Sequence, residues 1–244
     1  MTKRRTRQYY VACLVARLAA FGALIVYGAD YALQEDLYAG LDRFSLLTVL
    51  WLALMASMAF RLFPSKIESM GCQKEFAARC RPTGKAPERS ELRQANRGAW
   101  WVLATWTAVN ALFFLGYALK WYDERMLVCL AGFYGVCDII CILFYCPFQS
   151  WMMHNRCCTT CRIYNWDYLM LCTPLLAIRS FYTWSACALA AVIFLRWEIV
   201  FHRSPERFFE RSNDALKCSQ CQEQLCAYKR HLTAAGKRNT AGEH

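Results

Sequence analysis

The chain reads as an all-α integral membrane helical bundle: four clear transmembrane helices, plus a fifth segment that either spans the bilayer or re-enters it. Three observations predict this. Apolar residues make up 57% of the 244 positions and aromatics 15%. The apolar residues fall in blocks that approach the roughly 20 needed to cross a bilayer. The basic residues, which give a formal net charge of +11, gather in the loops and tails between those blocks. Basic residues so placed set topology and touch anionic head groups, so the expected partner is the lipid bilayer and not nucleic acid.

The first predicted helix covers residues 9–31, with Tyr9 and Tyr10 at the interface. Its apolar run meets no small-residue cleavage site, so it reads as an uncleaved helix rather than a signal peptide. Arg17, about two turns inside, is expected to snorkel towards the basic N-terminus. Residues 30–42 carry Asp30, Glu35, Asp36 and Asp42 with no lysine or arginine, which places them outside. The second helix, over 43–63, ends at Pro64. The loop that follows holds eight Lys/Arg (Lys66, Lys74, Arg79, Arg81, Lys85, Arg89, Arg93, Arg97) against four glutamates, so it belongs inside with the N-terminus.

Helices three (99–121) and four (126–146) flank a turn too short for anything but an antiparallel hairpin. Asp138 lies near the middle of helix four, with Tyr134, Cys141 and Tyr145 on its face. An acid at that depth needs a partner. Counted at helical rise, Asp138 lies roughly 14 Å and Arg179 roughly 18 Å inside the same face. These depths predict an intramembrane ion pair between the two.

Residues 168–201 are apolar but interrupted by Pro174 and Arg179. They form either one span from Ser180 onward or a re-entrant hairpin turning near Arg179-Ser180. The hairpin returns the tail to the inside, which nine Lys/Arg against six acids from Arg196 onward also favour. The chain thus divides into a membrane region over 1–148 with a basic cytosolic loop at 64–98, a cysteine-rich cytosolic loop at 149–167, and a fifth membrane segment at 168–201 broken near 174–180. A cysteine-containing tail follows at 202–232, and a polar, disordered end at 233–244. Ser204-Pro205-Glu206 reads as a helix start, with Ser as cap and Pro in the first turn.

Cysteine patterning carries the chemistry. Cys158 and Cys161 form one Cys-x-x-Cys pair, and Cys218 and Cys221 form another. Two such pairs supply the four thiolates of a structural zinc site or of an iron–sulfur cluster, and spacing does not separate the two cofactors. Cys157 and Cys226 are spare thiols beside the pairs. Arg156 and Arg162 flank the first cluster and favour thiolate, or serve as positive-inside anchors. Cys13, Cys129, Cys137, Cys141, Cys146, Cys172 and Cys187 lie in apolar stretches and read as small hydrophobes. His154, His202 and His231 read as surface histidines. No serine–histidine–acid set or carboxylate pair is recognisable, so hydrolase chemistry has no support.

The segments CPFQSWMMHNRCCTTCRIYNWD, SPERFFERSNDALKCSQCQEQLC and FRLFPSKIESMGCQKEF resemble an uncharacterised family of bacterial polytopic membrane proteins. That family is marked by a CPFQ…NRCCxTCRIxNWD loop and a C-terminal CxxCx4C tail. The resemblance spans most of the chain and implies a bacterial multi-pass membrane protein but no activity, substrate or cofactor; with the charge pattern, the expectation is an inner-membrane protein with a cytosolic N-terminus. Two functional expectations follow. One is a cytosolic-face metal centre, structural or electron-transferring, with a membrane or redox protein as partner. The other is a small transporter or membrane enzyme that uses Asp138 and Arg179, with purely structural cysteines. Whether there is catalysis stays open between them.

Overall fold

Four helices are long and apolar enough to cross a membrane, and they are arranged as an all-α bundle in the computed structural model. It describes residues 3–29, 32–42, 44–155 and 157–221. Arg156, Cys226, His231 and the predicted disordered end at 233–244 lie outside the described residues. The four long helices are α1 (Lys3–Ala29), α5 (Arg89–Ala118), α6 (Glu124–Leu143) and α8 (Phe181–Arg203). Between them lie α2 (Ala32–Ala39), α3 (Leu46–Arg61), α4 (Met70–Gln73) and α7 (Asp167–Cys172). At 16 residues, α3 is the short apolar helix of the set.

Two predicted boundaries shift for a physical reason. Helix three begins ten residues earlier than its apolar block, at a capping box in which the Glu88 N–H donates to Glu91 Oε2 at 2.9 Å. Apolar content marks only the part of a helix in hydrocarbon, and this first stretch is polar. The expected tail helix at Ser204-Pro205-Glu206 is a single 3₁₀ turn (Pro205–Arg207), with no cap from the Ser204 side chain.

The order of cross-helix contacts gives the topology. Arg125 reaches the Gly28 carbonyl and Cys129 the Leu24 carbonyl, while Arg17 reaches Gly135, so α1 and α6 are antiparallel. Thr48 bonds Tyr182, Trp51 bonds Ser185, and Arg196 bonds the Leu62 carbonyl, so α3 and α8 run parallel. The segment after Asp167 is a broken arm: α7 continues as a 3₁₀ turn over Thr173–Ala177, with Pro174 at its start. It ends at Ile178, and Ser180 caps α8 by accepting the Tyr182 N–H. Cys187 Sγ lies 3.5 Å from the Cys172 carbonyl and Trp166 Nε1 2.8 Å from Glu198, so α8 folds back antiparallel along the broken arm. This is the hairpin arrangement with its turn at Arg179-Ser180.

One core fills the bundle, with Leu24, Leu47, Met58, Leu127, Tyr182 and Ile193 among its buried members. A second lies under the cysteine loop and combines Ala99, Val102, Met153, Cys161, Trp166, Trp197, Phe201 and Phe208. At roughly 25 cal/mol per Å² of apolar surface, the four aromatics dominate that second core. The cysteine loop, the 64–88 loop and the tail therefore share one end of the bundle. Gly40 and Glu124 mark the other: Tyr182 donates to the Gly40 carbonyl, and Glu124 accepts from Tyr117 at 2.9 Å and Tyr38 at 3.3 Å.

Candidate functional site

Because α1 packs along α6 and α3 along α8, a cavity of about 480 Å³ remains between the two pairs. Leu24, Leu50, Leu54, Val128, Leu171 and Leu175 form its apolar wall. Its cysteine-end floor is ionic. Arg17 Nη1 lies 2.6 Å from Asp138 Oδ2 and donates to the Gly135 carbonyl. Arg61 lies 3.0 Å from Glu68 and 3.1 Å from Asp167, donates to Asn165 at 3.0 Å, and stacks over the Tyr168 ring at 4.8 Å. Three carboxylates thus face two guanidinium groups.

Asp138 does not pair with Arg179 as depth alone predicts. The hairpin turn carries Arg179 to the far end of the bundle, where its side chain is exposed. Arg17 does not snorkel out; it turns inward to meet the acid. Each residue was visible in the sequence as an oddity inside an apolar block. The helix pairing, and hence the partner, was not.

The cysteine loop is held by two cations. Lys74 is fully buried, and its Nζ donates to the Thr159 carbonyl at 2.9 Å and the Cys161 carbonyl at 2.8 Å. The rings of Trp197 and Phe208 lie 5.4 Å from it. Lysine is almost never fully buried unless paired, so this one is a structural pin. Burial lowers its pKa to about 7, an effect partly opposed by Cys161, Cys157 and Cys72. A neutral amine still has two protons for the two carbonyls. Next to it, burial raises Glu75 to about 7, against the pull of Arg196 and Arg61. Arg162 forms the second anchor, a two-pronged pair with Glu198 at 2.9 and 2.6 Å, with Nε donating to Asn96 at 3.0 Å. Sequence reasoning singled out neither Lys74 nor Glu198, because an isolated charge in a polar loop or at a helix end carries no pattern.

Both Cys-x-x-Cys segments make the same 3₁₀ turn, with the second cysteine's N–H donating to the first one's carbonyl at 3.0 Å (Cys161 to Cys158) and 3.3 Å (Cys221 to Cys218). Among the described residues, no three His, Cys, Asp or Glu side chains converge in a set fit to hold a metal ion. The tail before the second pair is tied to the 81–83 segment. The Asp214 N–H donates to the Arg81 carbonyl at 2.8 Å, Thr83 N–H to Ser212 at 3.0 Å, and Arg81 N–H to Asn213 Oδ1 at 3.0 Å. Cys218 and Cys221 follow that clip. The predicted ligands Cys158, Cys161, Cys218 and Cys221 accordingly form no such set among the described residues.

Cys158 and Cys161 face a different set of thiols. They line a second cavity, of about 400 Å³, together with Cys137, Cys141 and Cys146 from α6 and its end. Two loop thiols have local partners: Cys157 Sγ lies 3.0 Å from Thr159 Oγ1, and Cys158 Sγ donates to Gln149 at 2.9 Å. Cys161 is buried, which raises its thiol pKa against the nearby Lys74. His154 sits in the left-handed backbone region at φ 52°. No family model matches the chain, and neither a curated protein nor a solved structure is significantly similar to it.

Proposed function

We propose that this chain is a multi-pass inner-membrane protein, its cysteine end cytosolic, that binds an amphiphile in the cavity between the α1–α6 and α3–α8 pairs. It acts on that ligand as a small transporter or membrane enzyme. The observation that carries this reading is the cavity's polarity: an apolar wall ending in Arg17, Asp138, Arg61, Asp167 and Glu68. Apolar pockets with a few convergent polar groups are the usual form of small-molecule sites, and ionisable groups at membrane depth mark functional sites. One carboxylate in excess, beside the rings of Tyr10, Tyr164 and Tyr168, suits an amphiphile with a cationic head.

The test is binding of a fluorescent long-chain amine to the purified protein in nanodiscs. Saturable binding is expected, weakened at least tenfold by Ala53→Phe, which fills the cavity wall, and by Asp167→Asn, which removes the excess charge. Non-saturable partitioning, the same in wild type and both variants, defeats the reading. The iron–sulfur and zinc readings of the paired Cys-x-x-Cys turns keep one point of support, the matched turn geometry of the two segments. Anaerobic purification with elemental analysis for iron, sulfide and zinc tests them.

A further inference from the structure

The larger cavity opens sideways. At its far end Leu37, Leu47, Tyr182 and Thr183 are buried in the lining. At its cysteine end Ser69 and Cys72 are buried, the Tyr10 and Tyr164 hydroxyls lie 3.4 Å apart, and Gln73 Nε2 donates to Glu68 at 2.6 Å. Among the described residues, the exposed members of the lining are Tyr9 and Ala16 on α1 and Ala53, Ser57 and Phe60 on α3. Those that α6, α7 and α8 contribute are buried or half-buried. The mouth is therefore a slot between α1 and α3. It sits at membrane depth, because α3 lies beside α8 from Tyr182 to Arg196, and α1 beside α6 from Arg125 to Asp138. Helices α1, α6 and α8 are each long and apolar enough to cross a bilayer. The outer faces of the two slot helices expose Val15, Leu18, Val49 and Leu52, a surface that suits acyl chains and not water.

Resting on the amphiphile reading above, we infer that the ligand is a bilayer lipid with an amine head and no phosphate. It enters from the leaflet on the cysteine side, through the α1–α3 slot. The slot residues Tyr9 and Ala16 lie in the first half of α1, which starts at the cysteine end. Ala53, Ser57 and Phe60 lie in the second half of α3, which finishes there. The opening thus stands level with one leaflet, beside the ionic floor. A lipid of that leaflet moves in sideways with its head already near the floor, so no charge has to cross the hydrocarbon middle. A ligand arriving through water would have to pass through hydrocarbon to reach a mouth set among lipid-facing side chains. The charge count chooses the head. Asp138, Asp167 and Glu68 against Arg17 and Arg61 leave one negative charge, which a single ammonium cancels and a phosphate would restore. Leu50, Leu54, Val128 and Leu171 then take the chain.

The experiment is photo-crosslinking of the full chain in nanodiscs that contain a long-chain primary amine with a diazirine in its chain, the adducts being mapped by mass spectrometry. Adducts are expected at Ala16, Ala53 and Ser57 in the slot and at Leu50, Leu54 and Leu171 inside. Ala16→Trp and Ser57→Trp, which put a large ring in the slot, should slow the growth of the inside adducts about tenfold. Leu18→Trp and Leu52→Trp, on the outer faces, should leave it unchanged. A short-chain water-soluble amine should not displace the lipid probe, whereas an unlabelled long-chain amine should. The wild-type map stands by itself if a tryptophan variant fails to fold. Adducts confined to Val15, Leu18, Val49 and Leu52 would mean surface lipid only and overturn the inference. So would inside adducts that grow unhindered in both slot variants, equal displacement by the short-chain amine, or equal labelling by a phosphatidylethanolamine carrying the same diazirine. In each of these cases saturable binding of the fluorescent amine leaves the cavity reading in place and removes the lipid route alone. Non-saturable binding removes both.

Discussion

Arg17 Nη1 lies 2.6 Å from Asp138 Oδ2, joining the first and sixth helices across the floor of the larger cavity. The same nitrogen donates to the Gly135 carbonyl, so the guanidinium is fixed from two sides. In hydrocarbon each charge alone is expensive, and removing one partner of a buried pair costs on the order of 3 kcal/mol. Arg17→Gln and Asp138→Asn should therefore each lower stability in a denaturant titration of the reconstituted protein. The double variant should lose clearly less than the sum. Arg179→Gln, at an exposed turn, should change stability by less than about 0.5 kcal/mol. Additive losses at Arg17 and Asp138 would show that the pair carries no coupling.

Arg162 and Glu198 fasten the cysteine loop to α8. The pair is two-pronged, Trp166 Nε1 donates to the same carboxylate at 2.8 Å, and the guanidinium lies 4.2 Å from the centre of the Phe201 ring. Lysine supplies a point charge where a planar fork is required. Arg162→Lys should cost about 2 kcal/mol, the range of a charged hydrogen bond left unmade. It should also raise the alkylation rate of Cys161, which is buried in the native loop. Unchanged alkylation would mean that Lys74 alone holds the loop in place.

The adjacent Lys74 and Glu75 give the cap opposite pH dependences. Lys74 falls from 10.5 to about 7 on burial, so between those values the unfolded chain binds more protons than the fold. Its contribution to stability therefore rises with pH across that window. Glu75 is raised from 4.5 to about 7, so the fold keeps a proton that the unfolded chain has lost. Its contribution falls as pH rises through that range. The two together place a minimum near neutrality, each limb with a slope of at most about 1.4 kcal/mol per pH unit. Stability measured from pH 4.5 to 10 should lose the alkaline rise in Lys74→Met and the acid-side fall in Glu75→Gln. Identical profiles for wild type and both variants would rule this out.

The long helices were legible because hydrocarbon demands long apolar blocks, and the hairpin could be suspected because Pro174 and Arg179 break one. Partner choice across the bundle was not legible. Depth counting matched Asp138 to Arg179, but the distance that matters is lateral, and it depends on α1 packing beside α6. The thiols show the same limit. Regular Cys-x-x-Cys spacing drew attention to Cys218 and Cys221, which join no convergent set of metal ligands among the described residues. Cys137, Cys141 and Cys146, indistinguishable in sequence from ordinary core residues, turned out to share a cavity with Cys158 and Cys161.

The α7–α8 hairpin makes a topology prediction that reporter fusions can test. Cys172 meets Cys187 midway along the hairpin, and Trp166 meets Glu198 near its open end. The chain therefore enters the arm and leaves α8 at one face of the bundle. At that face Arg207 donates to the Glu75 carbonyl at 2.9 Å, and the Asn213 clip binds the 80–83 segment, so loop and tail cannot lie on opposite sides of a membrane. The proposed orientation has this face in the cytosol, which the positive-inside tendency favours: eight basic residues fall in the 65–98 loop and none in 30–42. Fusions at Glu88, at Asn155 and after Cys221 should all report inside, and a fusion at Glu35 outside. An outside signal after Cys221 with an inside signal at Asn155 would mean that α8 exits at the far face. The hairpin, the clipped tail and the shared end of the two cysteine segments would then all be wrong together.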